Sequence, residues 1–479
     1  MREIITVIFL LIVSNISYCQ SYGNIWQMGR DVGIDFNSCS PALITGNNSG
    51  KEGCSSISDS NGQLLFYTNS DTVWNKMHVT MTNGSLVPSS NGSLSQVIII
   101  PKPASSSIYY VVTTMLQALG NFSMQYHTID MSLNGGLGAV INKNNILTSL
   151  TITEQVSATY HSNGTDIWLM THEYGTNNFL SFLVNSSGIS SIPVISSVGP
   201  AHIACISSIN SRGEIKFSPD GNKIAFNANG IAENDSTNIL AVFDFNKTDG
   251  IVSNPIILPF SKGEYGLTFS PDNTKLYGGT QKAYGFTVND YNYLYQFDLS
   301  SGIPSTIVNS KFIIDSLQVP TSYGSIKIGP DGKIYLRYVG SNKNYLGVLT
   351  KPNLSGALCG FIKDGFYIGN QSYQGGLNHY IEYQTYCSTS DLESIDNYSF
   401  DLTISPNPLA DQVTLKSNIE FNNTLITIRD ISGNRIKFFD DLNGKLCTFS
   451  CENLQEGLYF LEIYKDNIFI EQKKFIIKR

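Results

Sequence analysis

From about residue 24 to residue 386, apolar and polar positions alternate in short runs, each closed by a tight polar turn and followed by another alternating run. Ile215 and Phe217 precede one turn and Ile224 and Phe226 follow it; Ile326, Ile328, Ile334 and Leu336 repeat the arrangement around another. A period of two places such residues on one face of a strand, so each pair of runs predicts a β-hairpin. The turns are Asp59-Ser60-Asn61-Gly62, Ser105-Ser106-Ser107, Ser162-Asn163-Gly164, Ser218-Pro219-Asp220-Gly221, Ser270-Pro271-Asp272-Asn273 and Gly329-Pro330-Asp331-Gly332. Where proline holds the first central position it presets φ, and the Asp-Gly or Asp-Asn after it tolerates the left-handed backbone that closes a hairpin.

Measured between Gly62, Ser107, Gly164, Gly221, Asn273 and Gly332, the steps are 45, 57, 57, 52 and 59 residues. One hairpin cannot bury its apolar face, whereas four-stranded sheets packed radially about an axis can, with only short protected edges. The step suits one propeller blade, and the span holds seven blades, with six as the alternative. A flat two-sheet sandwich explains the hairpins but not the long regular step. The seventh blade is expected from Phe361-Ile362-Lys363-Asp364-Gly365-Phe366-Tyr367 and a strand around Tyr380-Ile381-Glu382, closed by the N-terminal strand near Ile25 and Trp26.

The alternation stops at a polar stretch from Ser388 to Ser399, and a second series of short strands follows over 402–404, 413–415, 425–428, 435–438, 458–463 and 469–477. Six or seven strands in so short a span predict an immunoglobulin-like sandwich. The fold class is therefore all-β: a propeller over 20–387, a linker over 388–400 and a small β-sandwich over 401–479. Composition agrees, with charged residues at 14% and aromatics at 11%, which favours pleated surfaces over long exposed helices.

Met1-Arg2-Glu3, an apolar stretch from Ile4 to Val13 and the polar segment Ser14 to Gln20 have the layout of a secretory signal peptide over residues 1–19. The apolar stretch is too short to cross a bilayer, and no other segment approaches the length of a span. Acylation of Cys19 is the weaker alternative, because Tyr18 stands where a lipobox carries a small residue. A net charge of −8 without a basic run argues against nucleic acid as a partner. Export permits disulfides, and loop lengths suggest Cys39 with Cys54 and Cys359 with Cys387, leaving Cys205 over. Cys447 and Cys451 would stand about 13 Å apart on a strand, too far to bridge. The chain has no CxxC and its six His are scattered, so no metal and no cofactor is expected.

The large domain resembles the propeller-like domains of exported Bacteroidetes proteins. The likeness is carried by Asn24-Ile25-Trp26, Gly53-Cys54-Ser55-Ser56-Ile57-Ser58-Asp59, Phe66-Tyr67-Thr68 with Val73-Trp74-Asn75-Lys76, Leu133-Asn134-Gly135-Gly136-Leu137-Gly138, His161-Ser162-Asn163-Gly164-Thr165-Asp166 and the Ser-Pro-Asp turns. It implies no activity. The C-terminal segment resembles the type A sorting domain of the type IX secretion system. Four matches carry this: Ser405-Pro406-Asn407-Pro408, Asp430-Ile431-Ser432-Gly433, Leu454-Gln455-Glu456-Gly457-Leu458-Tyr459, and the basic end Lys473-Lys474-Phe475-Ile476-Ile477-Lys478-Arg479. That resemblance implies the type IX machinery as a partner, passage to the cell surface or medium, and cleavage in the linker.

For catalysis the sequence offers His161, His172 with Glu173, and His202, since a histidine beside a carboxylate can act as a general base near neutral pH. His172-Glu173-Tyr174-Gly175 lacks the second histidine of a zinc-protease motif, and no nucleophile elbow or phosphate loop is present. Glu154, Glu214 and Glu264 precede strands that lead into the turns and could line a channel mouth, where Tyr265, Tyr323 and Trp74 could stack on sugar rings. The expectation is a secreted or surface binding protein with a glycan or protein ligand. The alternatives are a propeller enzyme, such as a polysaccharide hydrolase or lyase or a lactonase, and a structural part of gliding or envelope machinery.

Overall fold

The computed structural model describes residues 21–38, 40–48, 53–86, 96–116, 122–201, 213–228, 239–259, 263–281, 290–340, 344–369, 376–382, 402–408, 411–417, 420–421, 424–430, 435–439, 444–465 and 468–479. The signal peptide, Cys39, Cys205, Cys387, His202, Gly433 and the linker lie outside them. The chain divides into two compact units, Met1–Ser388 and Thr389–Arg479.

In the first unit, consecutive strands pair antiparallel into radial sheets. Blade one holds Ile25–Gln27, Val32–Asp35 and Ala42–Thr45. Blade two runs from Ser55–Ser58 to Thr80–Ser85, and blade three from Val97–Pro101 to Ala139–Ile152, the two joined by one parallel contact at Ala139 and Thr82. Blade four begins at Ser157–Tyr160, blade five at Ile215–Phe217, blade six at Glu264–Phe269 and blade seven at Ser322–Ile328, which ends at Phe361–Tyr367. Seven blades are thus present among the described residues.

What makes these sheets a ring is that each shares a core with the next. Ile98, Ile100 and Val112 of blade three pack with Leu169, Leu180 and Phe182 of blade four. Met170 and Phe179 of blade four meet Phe217, Phe226 and Phe243 of blade five. Leu240 and Val242, alternating with Ala241 and Phe243, turn to the opposite face and meet Leu267, Phe269 and Leu276 of blade six. The period of two therefore buries both faces of an inner sheet. The series closes where Tyr335, Leu346 and Val348 of blade seven pack against Trp26, Val32 and Ile34 of blade one.

The turns are built as their chemistry predicts: Gly221, Asn273 and Gly332 have φ of 72°, 66° and 74°, and Ser218 and Ser270 donate to the carboxylates of Asp220 and Asp272. The expected seventh blade is partitioned differently. Phe361–Tyr367 is the outer strand of the blade that starts at Ser322, and residues 376–382 pass on to the first blade, where Leu377 joins Trp26 in one core. Outer strands and closing segments have no turn of their own, so turn spacing does not assign them.

The second unit is a sandwich of two sheets. Leu402–Ser405, Gln412–Ser417 and Leu446–Ser450 form one; Arg435–Phe439, Thr424–Arg429, Gly457–Lys465 and Ile468–Ile477, in that order, form the other. The strand Leu446–Ser450 is not among those expected; only Phe449 of it is buried, so its pattern is weak. Val413, Leu415, Ile426, Ile428, Leu461 and Phe475 fill the space between the sheets.

Candidate functional site

Charged side chains from the innermost strands meet inside the propeller, at positions buried among apolar neighbours. Lys216 lies between Ile215 and Phe217, and Lys327 between Ile326 and Ile328, so alternation sends each lysine to the side opposite its neighbours. Lys327 Nζ stands 3.5 Å from Glu214 Oε1 and 2.9 Å from His379 Nε2, and Lys216 Nζ stands 3.6 Å from Glu382 Oε1. Lys327 is fully buried, and none of the other four is more than 8% exposed. Glu214 is the best satisfied, accepting also from the Leu267 N–H at 3.1 Å and from Ser325 Oγ at 3.4 Å.

The electrostatics divide the two lysines. Burial pulls the Lys327 ammonium down to about 7, against the pull of Glu214. Burial opposes the charge on Lys216 too, but Glu214 and Glu382 together hold its pKa above the ordinary value. Burial raises the Glu382 carboxyl, and it drives His379 well below the usual imidazole range with help from Lys327 and Lys216. His379 is therefore neutral near pH 7, and its Nε2 accepts from Lys327.

Next to Tyr380 and Ile381 lies a small cavity of about 20 Å³, lined by Tyr22, Tyr160 and Tyr380 with Ile57, Ile99 and Ile381. Tyr380 is held by its hydroxyl, which donates to the Ile328 carbonyl at 2.7 Å. Its wall offers aromatic and aliphatic faces with three hydroxyl-bearing rings, around a space for about one water molecule. Among the described residues no three His, Cys, Asp or Glu side chains converge as metal ligands.

Of the residues singled out from sequence, Glu214 lies in the lysine cluster and the others are dispersed. His161 sits in a rim turn, its Nδ1 accepting from the Asn163 N–H and its Nε2 donating to the Thr248 carbonyl. His172 ends the strand Ile167–His172, one strand-length away, buried between the rings of Phe226 and Phe179 at 4.6 and 4.9 Å. Glu173 accepts from Asn178 Nδ2 at 2.7 Å. Glu154 is buried and accepts from the Gly213 N–H at 3.3 Å. Tyr265 is half-buried and accepts at its carbonyl from Asn227, while the Glu264 side chain lies outside the described atoms. Tyr323 is fully buried in the core of blades six and seven, with its hydroxyl on Asp315. Trp74 stacks on Tyr67 at 5.3 Å.

Of the proposed bridges, Cys54 and Cys359 lie among the described residues and their expected partners Cys39 and Cys387 outside them. Cys54 Sγ donates to the Gly376 carbonyl at 2.8 Å, and burial raises its thiol to about 12. Cys359 is likewise a buried thiol, raised by burial to about 11. Both cysteines pack in apolar cores, Cys54 with Trp26 and Cys359 with Tyr323. The axial lysines and His379 went unselected because a lysine between two isoleucines reads as the solvated face of a hairpin. The available signal was Ile-Lys-Phe and Ile-Lys-Ile at the same offset from two Pro-Asp-Gly turns.

In the second unit three of the four motifs, and Asp430 of the remaining one, lie among the described residues. Asn407 Oδ1 accepts from the Ile476 N–H at 3.0 Å, tying the Pro406-Asn407-Pro408 turn to the terminal strand. Tyr459, two residues after Gly457, donates back to the Gln455 carbonyl at 3.0 Å, the geometry of a sandwich corner. Arg479 Nη2 donates to the carbonyls of Cys451 and Glu452 and its Nε to Asp411, so the last residue is fastened to a neighbouring loop. Lys474 and Lys478 are exposed, and Asp430 ends the edge-pairing strand Thr424–Arg429. Residues 403–478 match the family described as secretion system C-terminal sorting domain. This unit is a type IX sorting domain. The protein is accordingly an exported propeller, destined for the cell surface or the extracellular space.

No curated protein matches the chain. Among solved structures it is similar to the hydrazine synthase of Kuenenia stuttgartiensis at 10% identity and a TM-score of 0.35, covering 71% of this chain and 80% of that one. It is also similar to the Cps50 (Swd1) β-propeller domain of Myceliophteria thermophila, at 9% identity, TM-score 0.37, and 66% and 93% coverage. A gluconolactonase of Xanthomonas campestris aligns at 14% identity, TM-score 0.28, and 56% and 72% coverage. Among the described residues no helix is long and apolar enough to cross a membrane.

Proposed function

We propose that the protein is a binding protein, released or displayed on the surface, whose propeller takes a glycan. The observation that carries this reading is the grouping of Tyr22, Tyr160 and Tyr380 around one small cavity, three rings of the kind that stack on sugar faces where they reach solvent. The separation of His161 from His172 and Glu173 supports binding over hydrolysis by those residues, because among the described residues they share no common substrate position. The mature protein begins at Gln20, extends as a propeller to residue 387, and is released from 401–479 by cleavage within 388–400. Screening the mature chain on surface glycan arrays, followed by titration of the best ligand, tests the reading. Tyr160→Ala should weaken binding by about tenfold, the loss of one stacking ring. Absence of any glycan bound below about 1 mM, or turnover of the glycan without stable binding, would overturn it.

A further inference from the structure

Residues 376–382 complete the ring at its axis without belonging to any strand. One backbone bond, from the His379 N–H to the Cys54 carbonyl at 2.8 Å, is supplemented by side chains. Asn378 Oδ1 accepts from the N–H and Oγ of Ser56 at 2.7 and 2.9 Å, Ser55 Oγ donates to the His379 carbonyl at 2.6 Å, and Tyr380 reaches Ile328. Two further fastenings are ionisable: His379 to Lys327 and Glu382 to Lys216. The same segment supplies Tyr380 and Ile381 to the cavity wall.

We propose that this segment is an acid-released clasp, in which protonation of His379 breaks its bond to Lys327 and loosens the ring closure together with one wall of the cavity. A lysine ammonium only donates, so the imidazole nitrogen it meets must be an acceptor. A proton on that nitrogen removes the acceptor and sets two cations 2.9 Å apart where neither side chain is open to water. The charges acting on His379 are Lys327 from blade seven and Lys216 from blade five; Glu214 and Glu382 act on Lys327, and Lys327 with Arg337 acts on the Cys54 thiol at the entry of blade two. Each carboxylate already stands in an ion pair with a lysine, so an imidazolium would have to compete with Lys216 or Lys327 for its charge.

The direction follows from the depressed imidazole. Below about pH 6.5 the open segment binds a proton that the closed one refuses, so closure weakens as pH falls. Glu382 works the other way, because burial favours its protonated form in the closed state. A variant that removes only the histidine's titration therefore separates the two.

Hydrogen–deuterium exchange on the full chain at about pH 7.5 and about pH 5, corrected for intrinsic rates, reads this directly. Protection across 376–382 should fall by about tenfold or more at the lower pH, while Ser157–Tyr160 in blade four keeps its protection. His379→Gln, whose amide oxygen can accept from Lys327 without titrating, should show no such fall. Lys327→Met provides a second comparison should that variant fold poorly, and with the opposing cation gone it too should lose most of the response. Equal protection of 376–382 at both pH values, or an acid response retained in either folded variant, would overturn the proposal.

Discussion

Removing the Lys216 amine while keeping its aliphatic volume, as Lys216→Met does, isolates what the axial charges contribute. Lys216 and Glu382 stand 3.6 Å apart with side chains only 6% and 7% exposed, so the carboxylate left behind has no water to turn to. Lys327 is already engaged by Glu214 and His379. Breaking one partner of such a buried pair costs about 3–5 kcal/mol. The double variant Lys216→Met with Glu382→Leu removes both desolvation penalties and should recover most of that loss, ending within about 1 kcal/mol of the parent. If Glu382→Leu alone costs as much, the coupling between the two sites should be at least about 5 kcal/mol, measured as a double-mutant cycle from urea unfolding midpoints with the m-value checked for constancy. A single variant as mild as an ordinary surface change, or a double variant as unstable as the sum of its singles, would refute the axial pairing.

Other consequences are as specific. Between about pH 7 and about pH 10.5 the unfolded chain holds a proton on Lys327 that the folded chain does not, so stability should rise with pH in that window, and Lys327→Met should flatten the rise in pH-dependent urea titrations. Cys54 and Cys359 should resist alkylation in the folded protein and react at once in denaturant, with intact mass showing thiols at both positions. Arg479→Ala should raise exchange across Ile468–Ile477 by the equivalent of about 1 kcal/mol, a small value because the side chain is partly exposed.

Local chemistry was readable and long-range juxtaposition was not. The Ser218-Pro219-Asp220-Gly221 turn could be foreseen because everything that fixes it lies within five residues, from the Ser218 hydroxyl on Asp220 to the left-handed Gly221. Tyr459 and Asn407 were likewise legible, as a corner and a turn, in a small sandwich whose strands follow one another closely. The ring-wide contacts were not. Lys216 meets a carboxylate from the far end of the propeller chain, and nothing in the alternation around Ile215 and Phe217 distinguishes a lysine facing the axis from one facing solvent. His172 misled for the same reason: beside Glu173 it has the look of a base, yet the packing of blade four on blade five makes it a ring stacked on Phe226.

The account stands most directly on the C-terminal unit as the address that carries the propeller out of the cell. Cell fractionation of a strain expressing the chain without residues 401–479 measures this, with the parent chain alongside. The truncated protein should be recovered folded in the periplasm, with thermal unfolding of the propeller close to the parent's, and should be missing from the surface and medium. Normal amounts of truncated protein at the surface would contradict the assignment and reduce residues 401–479 to a spacer or binding module.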